Sequence, residues 1–206
     1  MKSFPSFINN VRRQHDLMTI EEIEMLVEKG NIIYDPLSVL ISTNTKIGTG
    51  NIIFPCTSIF CSNKSELSIG NKNIFHSNSF FDAVFGPITI GSNNQFGEGG
   101  FTAKTNRAGA KIIIGDNGRY LGGASIFGET ILGTGSQILG AINVDSCHLE
   151  AGQSYMDADL DRRAGLLKGF GVVRDIIVPA GQVIHGNGSF SLKDIKPQSF
   201  FHPKGK

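Results

Sequence analysis

A six-residue spacing of apolar side chains runs through this sequence. Pairs of Ile-Gly or Leu-Gly recur at Ile47-Gly48, Ile69-Gly70, Ile90-Gly91, Ile114-Gly115 and Leu132-Gly133. Between these pairs an aliphatic or aromatic residue tends to return at every sixth position, as at Leu132, Ile138 and Val144. An α-helix repeats at about 3.6 residues and a strand at about two, so neither alone has this period. It predicts a solenoid whose coil contains three six-residue units.

These units resemble the hexapeptide repeat of the triangular left-handed β-helix, which places one hexad on each flat face. Position five of one hexad in each coil is polar or small, at Asn51, Asn73, Asn94, Gly118 and Ser136. Since Asn and Gly enter left-handed backbone conformations at low cost, we expect position five to form the corners. The resemblance implies an all-β solenoid, a left-handed parallel β-helix with a short N-terminal helix, loop excursions from one edge and a C-terminal tail.

The short helix is predicted over residues 19–29, TIEEIEMLVEK. Thr19 is a candidate N-cap, Glu22 completes a capping box three residues later, and Gly30 ends the helix. The expected buried stripe contains Ile20, Ile23, Leu26 and Val27.

Successive Gly-containing pairs are eighteen or more residues apart, and the extra residues predict loops. We therefore expect an N-terminal arm and helix over 1–40, a β-helix over 41–190 and a tail over 191–206. Excursion loops are expected near 82–89, 102–113 and 150–177. When the hexads are assigned from these pairs, all the excursions leave the prism at one edge. We therefore expect a functional site at that edge.

Composition excludes several classes of function. Nineteen Lys and Arg against eighteen Asp and Glu give a formal charge of +1, which provides no field for nucleic acid or an anionic membrane. No apolar run of about 18 residues is present, and the N-terminal residues lack the apolar core of a signal peptide. We expect a cytoplasmic protein. The three cysteines lack C-x-x-C spacing and are interpreted as reduced packing residues.

The segment from the predicted helix through Gly30, Asp35-Pro36 and the first hexads also resembles a particular family. It is similar to the start of the acetyltransferase domain of bifunctional glucosamine-1-phosphate acetyltransferase/N-acetylglucosamine-1-phosphate uridyltransferase, over roughly residues 20–56. Residues 74–78, IFHSN, look like the segment around the base in several acyltransferases of the wider superfamily. These resemblances imply acetyl-CoA or another acyl-CoA as co-substrate, a sugar or nucleotide-sugar acceptor, a homotrimer with sites between prisms, and no resident metal.

Acyl transfer needs a base, and histidine suits that role near neutral pH. His76 and His185 each follow an inward position of a second hexad, so strand alternation turns them outward. His148 precedes the longest excursion. We favour His76, because the coils that follow it leave room for an acyl-CoA. His15 and His202 lie outside the repeats.

Basic residues suggest where anionic groups would bind. Five of them fall in two expected loops and are predicted to contact the acceptor: Lys104, Arg107, Arg162, Arg163 and Lys168. Three more follow the repeats and are predicted to lie near the adenine end of acyl-CoA: Lys193, Lys196 and Lys204. The carboxylates of residues 157–161 have calcium-like spacing, but the Gly and Glu of an EF-hand loop are absent.

Two other classes remain open at this point. One is a non-catalytic trimeric prism that binds a partner, and the other is a γ-class carbonic anhydrase, whose zinc site needs three histidines from adjacent faces. Aromatic bulk supports a trimer in either class, since the interior of a narrow prism should not accommodate five phenylalanines. They are Phe75, Phe81, Phe96, Phe101 and Phe127.

Overall fold

A computed structural model describes residues 4–201 of the chain. Two helices, α1 (Phe4–Gln14) and α2 (Ile20–Glu28), precede the strands. The strands in chain order are β1 Ile32–Ile33, β2 Leu40–Ile41, β3 Lys46–Ile47, β4 Ile52–Ile53, β5 Ser58–Cys61, β6 Leu67–Ile69, β7 Ile74–Phe75, β8 Ser79–Ala83, β9 Ile88–Ile90, β10 Gln95–Gly97, β11 Phe101–Lys104, β12 Lys111–Ile114, β13 Arg119–Leu121, β14 Ala124–Phe127, β15 Glu129–Leu132, β16 Gln137–Leu139, β17 Ile142–Asp145, β18 His148–Leu149, β19 Leu166–Arg174, β20 Ile177–Val178, β21 Gln182–Ser189 and β22 Ile195–Pro197. Three 3-10 turns span Leu160–Arg162, Leu192–Asp194 and Gln198–Phe201.

Successive coils place their strands on three faces. Face 1 contains β1, β4, β7, β10, β13, β16, the first half of β19, and β21. Face 2 contains β2, β5, β8, β11, β14, β17 and the second half of β19, and face 3 contains β3, β6, β9, β12, β15, β18 and β20. Every pairing within these faces is parallel, and equivalent hexads lie in register. The all-β solenoid predicted from the six-residue period is confirmed.

Aromatic rings fill the middle of the prism. Phe75, Phe81, Phe96, Phe101 and Tyr120 are all buried. Their rings form one continuous stack with centroids 5.0 to 5.7 Å apart. The expectation that some of these rings face neighbouring subunits is therefore wrong for Phe75, Phe81, Phe96 and Phe101. The interior accommodates them because stacked and edge-to-face rings of successive coils interlock.

A ladder of buried asparagines runs along the corner between faces 3 and 1. Asn51, Asn73 and Asn94 each place their amide beneath the next coil, and each Oδ1 atom accepts hydrogen bonds from the backbone N–H and, where present, the Asn Nδ2 of that coil. The Asn-to-Asn bonds are 2.9 to 3.1 Å long. At Gly118 the ladder ends, and the hydroxyl of Tyr120 lies over that glycine and bonds to Ser136 at 3.0 Å. Burial raises the pKa of this tyrosine.

The corner conformation itself falls one position earlier than the sequence predicts. Residues with positive φ at this corner occupy position four of the hexad, at Gly50, Lys72, Asn93, Asn117 and Gly135. The asparagines at position five have ordinary backbone angles. Asparagine therefore recurs at this position because its side chain hydrogen-bonds between coils. A preference for left-handed backbone is not the reason.

The N-terminal end of the prism is covered by the two helices. Helix α2 begins at the predicted capping box, in which Glu22 N–H donates to Thr19 Oγ1 and Thr19 N–H donates to Glu22. Ile23 and Leu26 are buried as expected, whereas Val27 is exposed. Helix α1, which the sequence analysis treated as an arm, places Arg12 under the first coil.

The Arg12 guanidinium is buried and satisfied entirely by backbone carbonyls. It donates to the oxygens of Met18, Pro36, Leu37 and Val39 at 3.0 to 3.1 Å. Burial lowers the pKa of this arginine. The side chain therefore fixes the helices to the turn that enters the first coils.

The excursions differ from the prediction in both length and position. Residues 62–66, 84–87 and 105–110 connect face 2 to face 3, so three short loops do share one corner. The long excursion expected over 150–177 is wrong for its second half, because β19 pairs with β16 and β17 inside the solenoid. Leu132 and Gln137 are five positions apart, whereas the equivalent Leu149 and Leu166 are seventeen apart. The insertion, residues 150–165, thus leaves the corner between faces 3 and 1.

The C-terminal residues close the last coil. Strand β22 pairs antiparallel with β21, and the turn Gln198–Phe201 folds back toward the insertion. Asp161 accepts hydrogen bonds from the backbone N–H of Ser199 at 2.9 Å and from its hydroxyl at 2.6 Å. Within residues 4–201, no helix is long and apolar enough to span a bilayer.

Candidate functional site

His76 lies on the outer surface of face 1, directly after β7. Its neighbour Phe75 points into the core, so alternation turns His76 outward as the sequence predicts. The imidazole is half-buried and stacks on Phe54 of the preceding coil, with ring centroids 5.1 Å apart and planes at 22°. The Nε2 atoms of His76 and Gln95 are 3.2 Å apart, so the amide of the following coil fixes the ring on its other side.

A depression of about 500 Å³ opens beside this ring at the corner between faces 1 and 2. The side chains around it supply both polar and aromatic surface: Phe54, His76, Ser77, Asn78 and Glu98, with Gly99 and Gly100 as a floor. Gly97 packs directly on His76, because a Cβ atom there would overlap the Cβ of the histidine. The absence of a side chain at Gly97 therefore sets the position of the imidazole.

A column of glycines continues from the depression toward the C-terminal coils. Gly99, Gly122, Gly140, Gly169 and Gly186 follow one another along the same corner. A Cβ on Gly122, Gly140 or Gly169 would overlap backbone atoms of the next glycine, and one on Gly99 would come within 3.3 Å of Gly122. Parallel strands are about 4.8 Å apart, so the column is about 19 Å long. Bare backbone thus leads away from His76 as far as Gly169, whereas Gly186 is buried against the ring of Phe190.

The other two candidate histidines lie elsewhere. His185 is in the same outward column of face 1 as His76, separated from it by Gly97, Leu121, Leu139 and Lys168 in register. It is exposed, and its ring contacts the edge of Phe201 with centroids 5.6 Å apart. His148 belongs to face 3, between Ile131 and Ile177. Therefore the three predicted bases do not converge within one chain.

Two of the predicted anion-binding residues are engaged with carboxylates. Lys104 Nζ is 2.9 Å from Asp82, and Arg107 Nη2 is 2.7 Å from Asp145. The hydrogen bond from Arg107 lowers the pKa of Asp145 below its ordinary value. Lys104 and Asp82 are on neighbouring coils of face 2, whereas Arg107, in the loop 105–110, reaches Asp145 on β17 two coils later. Both pairs leave less positive charge at that corner than the sequence predicts.

Arg163 and Lys168 reach a different place, a cavity of about 180 Å³ between face 1 and the insertion. Arg119 and Gln137 project into it from β13 and β16, and Tyr155 covers it from the insertion, with its ring 4.7 Å from the Arg119 guanidinium. The sequence analysis missed Arg119 and Gln137, because only the folding of the insertion over face 1 makes them site residues. We call this space the insertion cavity.

The remaining predicted contacts are on the surface or outside the described residues. Arg162, Lys193 and Lys196 are exposed, and Lys204 and His202 lie outside residues 4–201. The insertion and the loop 105–110 leave different corners, so the prediction that two basic loops share one edge is wrong. Among the described residues no three His, Cys, Asp or Glu side chains converge.

The cysteines do not join either site. Cys61 and Cys147 are buried, and burial raises the pKa of both thiols. Cys56 is exposed at a corner with φ of 62°, which differs from the packing role expected for it.

Comparison with known proteins gave a similar solved structure. A solved structure of LpxA from Acinetobacter baumannii is similar at 17% sequence identity and a TM-score of 0.28, over 76% of this chain and 69% of that chain. No protein-family model matches the sequence. No curated protein matches it. The fold assigned to this chain is the parallel β-solenoid defined by its own strand pairing.

Proposed function

We propose that this chain is an acyltransferase that moves an acetyl or other acyl group from acyl-CoA to an amino or hydroxyl group of a sugar or nucleotide sugar. His76 is the general base of the proposed reaction. The observation that carries the proposal is the placement of a fixed, half-buried imidazole at one end of the glycine column. Neither His148 nor His185 lines this depression or the insertion cavity.

The glycine column is suited to an extended thioester arm. From Gly99 to Gly169 it is about 14 Å long, which is most of the length of a pantetheine chain, and over that stretch it lacks side chains that would hold such a chain away from the backbone. The thioester would lie at the His76 end. In that direction the adenine end would approach the exposed Lys193 and Lys196 beyond the last coil.

The proposed chemistry is a single acyl transfer. Nε2 of His76 takes the proton from the acceptor hydroxyl or amine, whose oxygen or nitrogen attacks the thioester carbonyl. The carbon–sulfur bond then breaks, and the CoA thiolate leaves with that proton. As the Gln95 amide is oriented here, it donates to the same Nε2 lone pair, so a bound acceptor would replace that hydrogen bond. Among residues 4–201, no carboxylate hydrogen-bonds the ring.

The acceptor assignment rests on the lining of the depression. Phe54 offers an aromatic face, and Ser77, Asn78 and Glu98 offer groups that can hydrogen-bond hydroxyls. Such a mixture of one aromatic surface and several small polar groups fits a sugar ring better than a purely apolar acceptor.

A homotrimer is part of this proposal, with the depression completed by a neighbouring prism. Large apolar side chains remain exposed on the outer surface of the last coils, including Phe170, Val172 and Ile177. Val172 is on face 2 and Ile177 is on face 3, so apolar surface for association is present on both faces. A depression this open would also gain shelter from water in a cleft between two chains.

The test of the base is His76→Ala in the full chain, assayed by thiol release with a panel of acyl-CoAs and amino or nucleotide sugars. Loss of a general base typically lowers kcat by about 10² to 10⁴. His148→Ala is the matched control, because that imidazole is equally half-buried but lies on face 3. Near-parental turnover by His76→Ala, with loss in His148→Ala, would overturn the assignment. A parent protein that binds no acyl-CoA would overturn the whole proposal.

A further inference from the structure

The insertion cavity has the composition of an anion site. Three cationic side chains line it, Arg119, Arg163 and Lys168, and none of its lining residues is acidic. Only two ion pairs occur within residues 4–201, and neither involves these three. Three positive charges are therefore gathered around about 180 Å³ without a carboxylate to balance them.

Several donors in the cavity are unused. Gln137 is 4% exposed, and its side-chain amide makes no hydrogen bond with any residue from 4 to 201. Arg119 Nε is buried and likewise has no partner within that range. Gln137 lines the cavity, so its amide is available to hydrogen-bond an occupant of that space. The Nε atom of Arg119 is itself closed off, so its guanidinium would contact an occupant through the Nη groups.

The walls are held in place without these donors. Arg163 donates through Nε and Nη2 to the carbonyl of Asp157 at 3.0 and 2.6 Å, which leaves its Nη1 edge available. The Gln198 amide donates to the carbonyl of Ala164 at 2.6 Å. The carboxylate of Asp161 accepts hydrogen bonds from the backbone N–H and the hydroxyl of Ser199. Thus the insertion and the C-terminal turn together close the cavity over face 1.

We propose that the insertion cavity binds a phosphate or diphosphate group of a small molecule, with Arg119, Arg163, Lys168 and Gln137 as its ligands. Guanidinium groups match phosphate oxygens in pairs, and a lysine adds a point charge. A lone carboxylate would leave most of this positive charge uncompensated, whereas a diphosphate would balance it. The volume accommodates one or two phosphoryl groups and not a whole nucleotide, so the rest of the ligand would extend out along face 1.

This proposal does not rest on His76 being a base. Lys168 is in the outward column four coils beyond His76, next to Gly169 of the glycine column. The phosphoryl group could therefore belong to an acyl donor, to a nucleotide-linked acceptor, or to free phosphate. All three share the chemistry that the cavity recognises.

The experiment is isothermal titration of the full chain with inorganic phosphate, pyrophosphate, CoA and a nucleoside-diphosphate sugar. Arg163→Ala and Arg162→Ala form a matched pair, since only the first side chain lines the cavity. Loss of a charge-assisted hydrogen bond should weaken pyrophosphate binding by about 10- to 100-fold in Arg163→Ala. Arg162→Ala should bind within about two-fold of the parent, since screening makes an exposed surface charge worth little.

Two further variants keep the result interpretable if Arg163→Ala loosens the insertion. Gln137→Leu and Arg119→Met change side chains on strands β16 and β13, and each should also weaken pyrophosphate while circular dichroism stays unchanged. Equal weakening by Arg162→Ala and Arg163→Ala, or no binding of any probe at millimolar concentration, would overturn the proposal. Tighter binding of CoA or of the nucleotide sugar than of pyrophosphate would identify the source of the phosphoryl group and support it. His76→Ala should bind pyrophosphate normally, which separates this proposal from the catalytic one.

Discussion

At the scale of single residues, Gly97 determines the geometry of the His76 site. It has φ of 113° and directly follows the buried ring of Phe96, so its backbone lies against the histidine of the preceding coil. A side chain at this position would have to displace either the imidazole or the strand. The position of the proposed base thus depends on Gly97, a residue that has no side chain to take part in the reaction.

We expect Gly97→Ala to be more destabilising than Gly188→Ala and to lower acyl transfer. Gly188 has a similar φ of 104° but open space around a Cβ atom. The backbone strain of either substitution should cost about 1–3 kcal/mol, and overlap with His76 should add to it only at Gly97. Urea unfolding of both variants measures the difference, and kcat measures the displacement of the ring. Equal losses of stability with unchanged kcat would contradict this account.

The outward placement of His76 was predictable, but its partners were not. Strand alternation after Phe75 is a local property, so the sequence alone indicates which way the histidine points. Phe54 and Gln95 lie about twenty positions away on neighbouring coils, and only the register brings them to the ring. The same limit applies to Arg119 and Gln137, which became site residues only when the insertion folded over them.

At the scale of elements, the asparagine ladder connects the early coils more specifically than apolar packing does. Asn73 accepts two hydrogen bonds from Asn94, and donates to Asn51 and to the carbonyl of Gly91. It is 0% exposed. Its partners Asn51 and Asn94 are also buried, so no water is available to replace the amide on that side.

Replacing Asn73 with alanine should therefore lower the free energy of unfolding by several kcal/mol. Each buried partner left unsatisfied costs about 1–3 kcal/mol, and at least two would be left. Asn63→Ala, in an exposed connection between β5 and β6, should change stability by less than about 0.5 kcal/mol. Chemical denaturation of the pair gives the comparison. A loss at Asn73 no larger than at Asn63 would mean that the ladder does not stabilise the prism.

Strand β19 keeps the six-residue spacing of buried side chains although it follows the long insertion. Leu167 and Val173 are six positions apart and both buried, like Ile138 and Val144 one coil earlier. No Ile-Gly or Leu-Gly pair introduces them, because the insertion replaces the usual corner. The six-residue spacing of buried side chains continues after the insertion, whereas the Ile-Gly or Leu-Gly pair that marks the corner is absent there. Spacing of inward residues is thus the more reliable signal for this fold.

At the scale of the whole molecule, the enclosed aromatic stack changes the argument for assembly. Of the five phenylalanines, some of which were expected to face neighbouring subunits, four are inside the prism. Association must therefore use side chains on the outer faces, chiefly the exposed apolar residues of the last coils. Oligomeric state is a property of those outer surfaces and does not follow from total aromatic content.

We expect a homotrimer in solution at micromolar concentration. Sedimentation equilibrium should give about three times the 22.2 kDa mass of one chain. Val172→Asp and Ile177→Lys together should shift the population toward monomers, because charges on an apolar contact lose solvation on association. Matched charges at the exposed Thr89 and Asn117 should have little effect. A parent protein that sediments as a monomer would remove the shared cleft from the proposed mechanism.

The two ends of the prism also determine whether copies of this molecule can associate end to end. A stack of parallel strands finishes in a row of unpaired N–H and C=O groups that a second molecule could extend, and repetition would produce a fibre. Here the first coil is blocked by helices tied down through Arg12, and β22 pairs with β21 in the opposite sense. A reversed strand presents the wrong polarity for another parallel coil. Lengthwise polymerisation is thereby discouraged, and sideways contact between faces is left as the route to a closed, finite assembly.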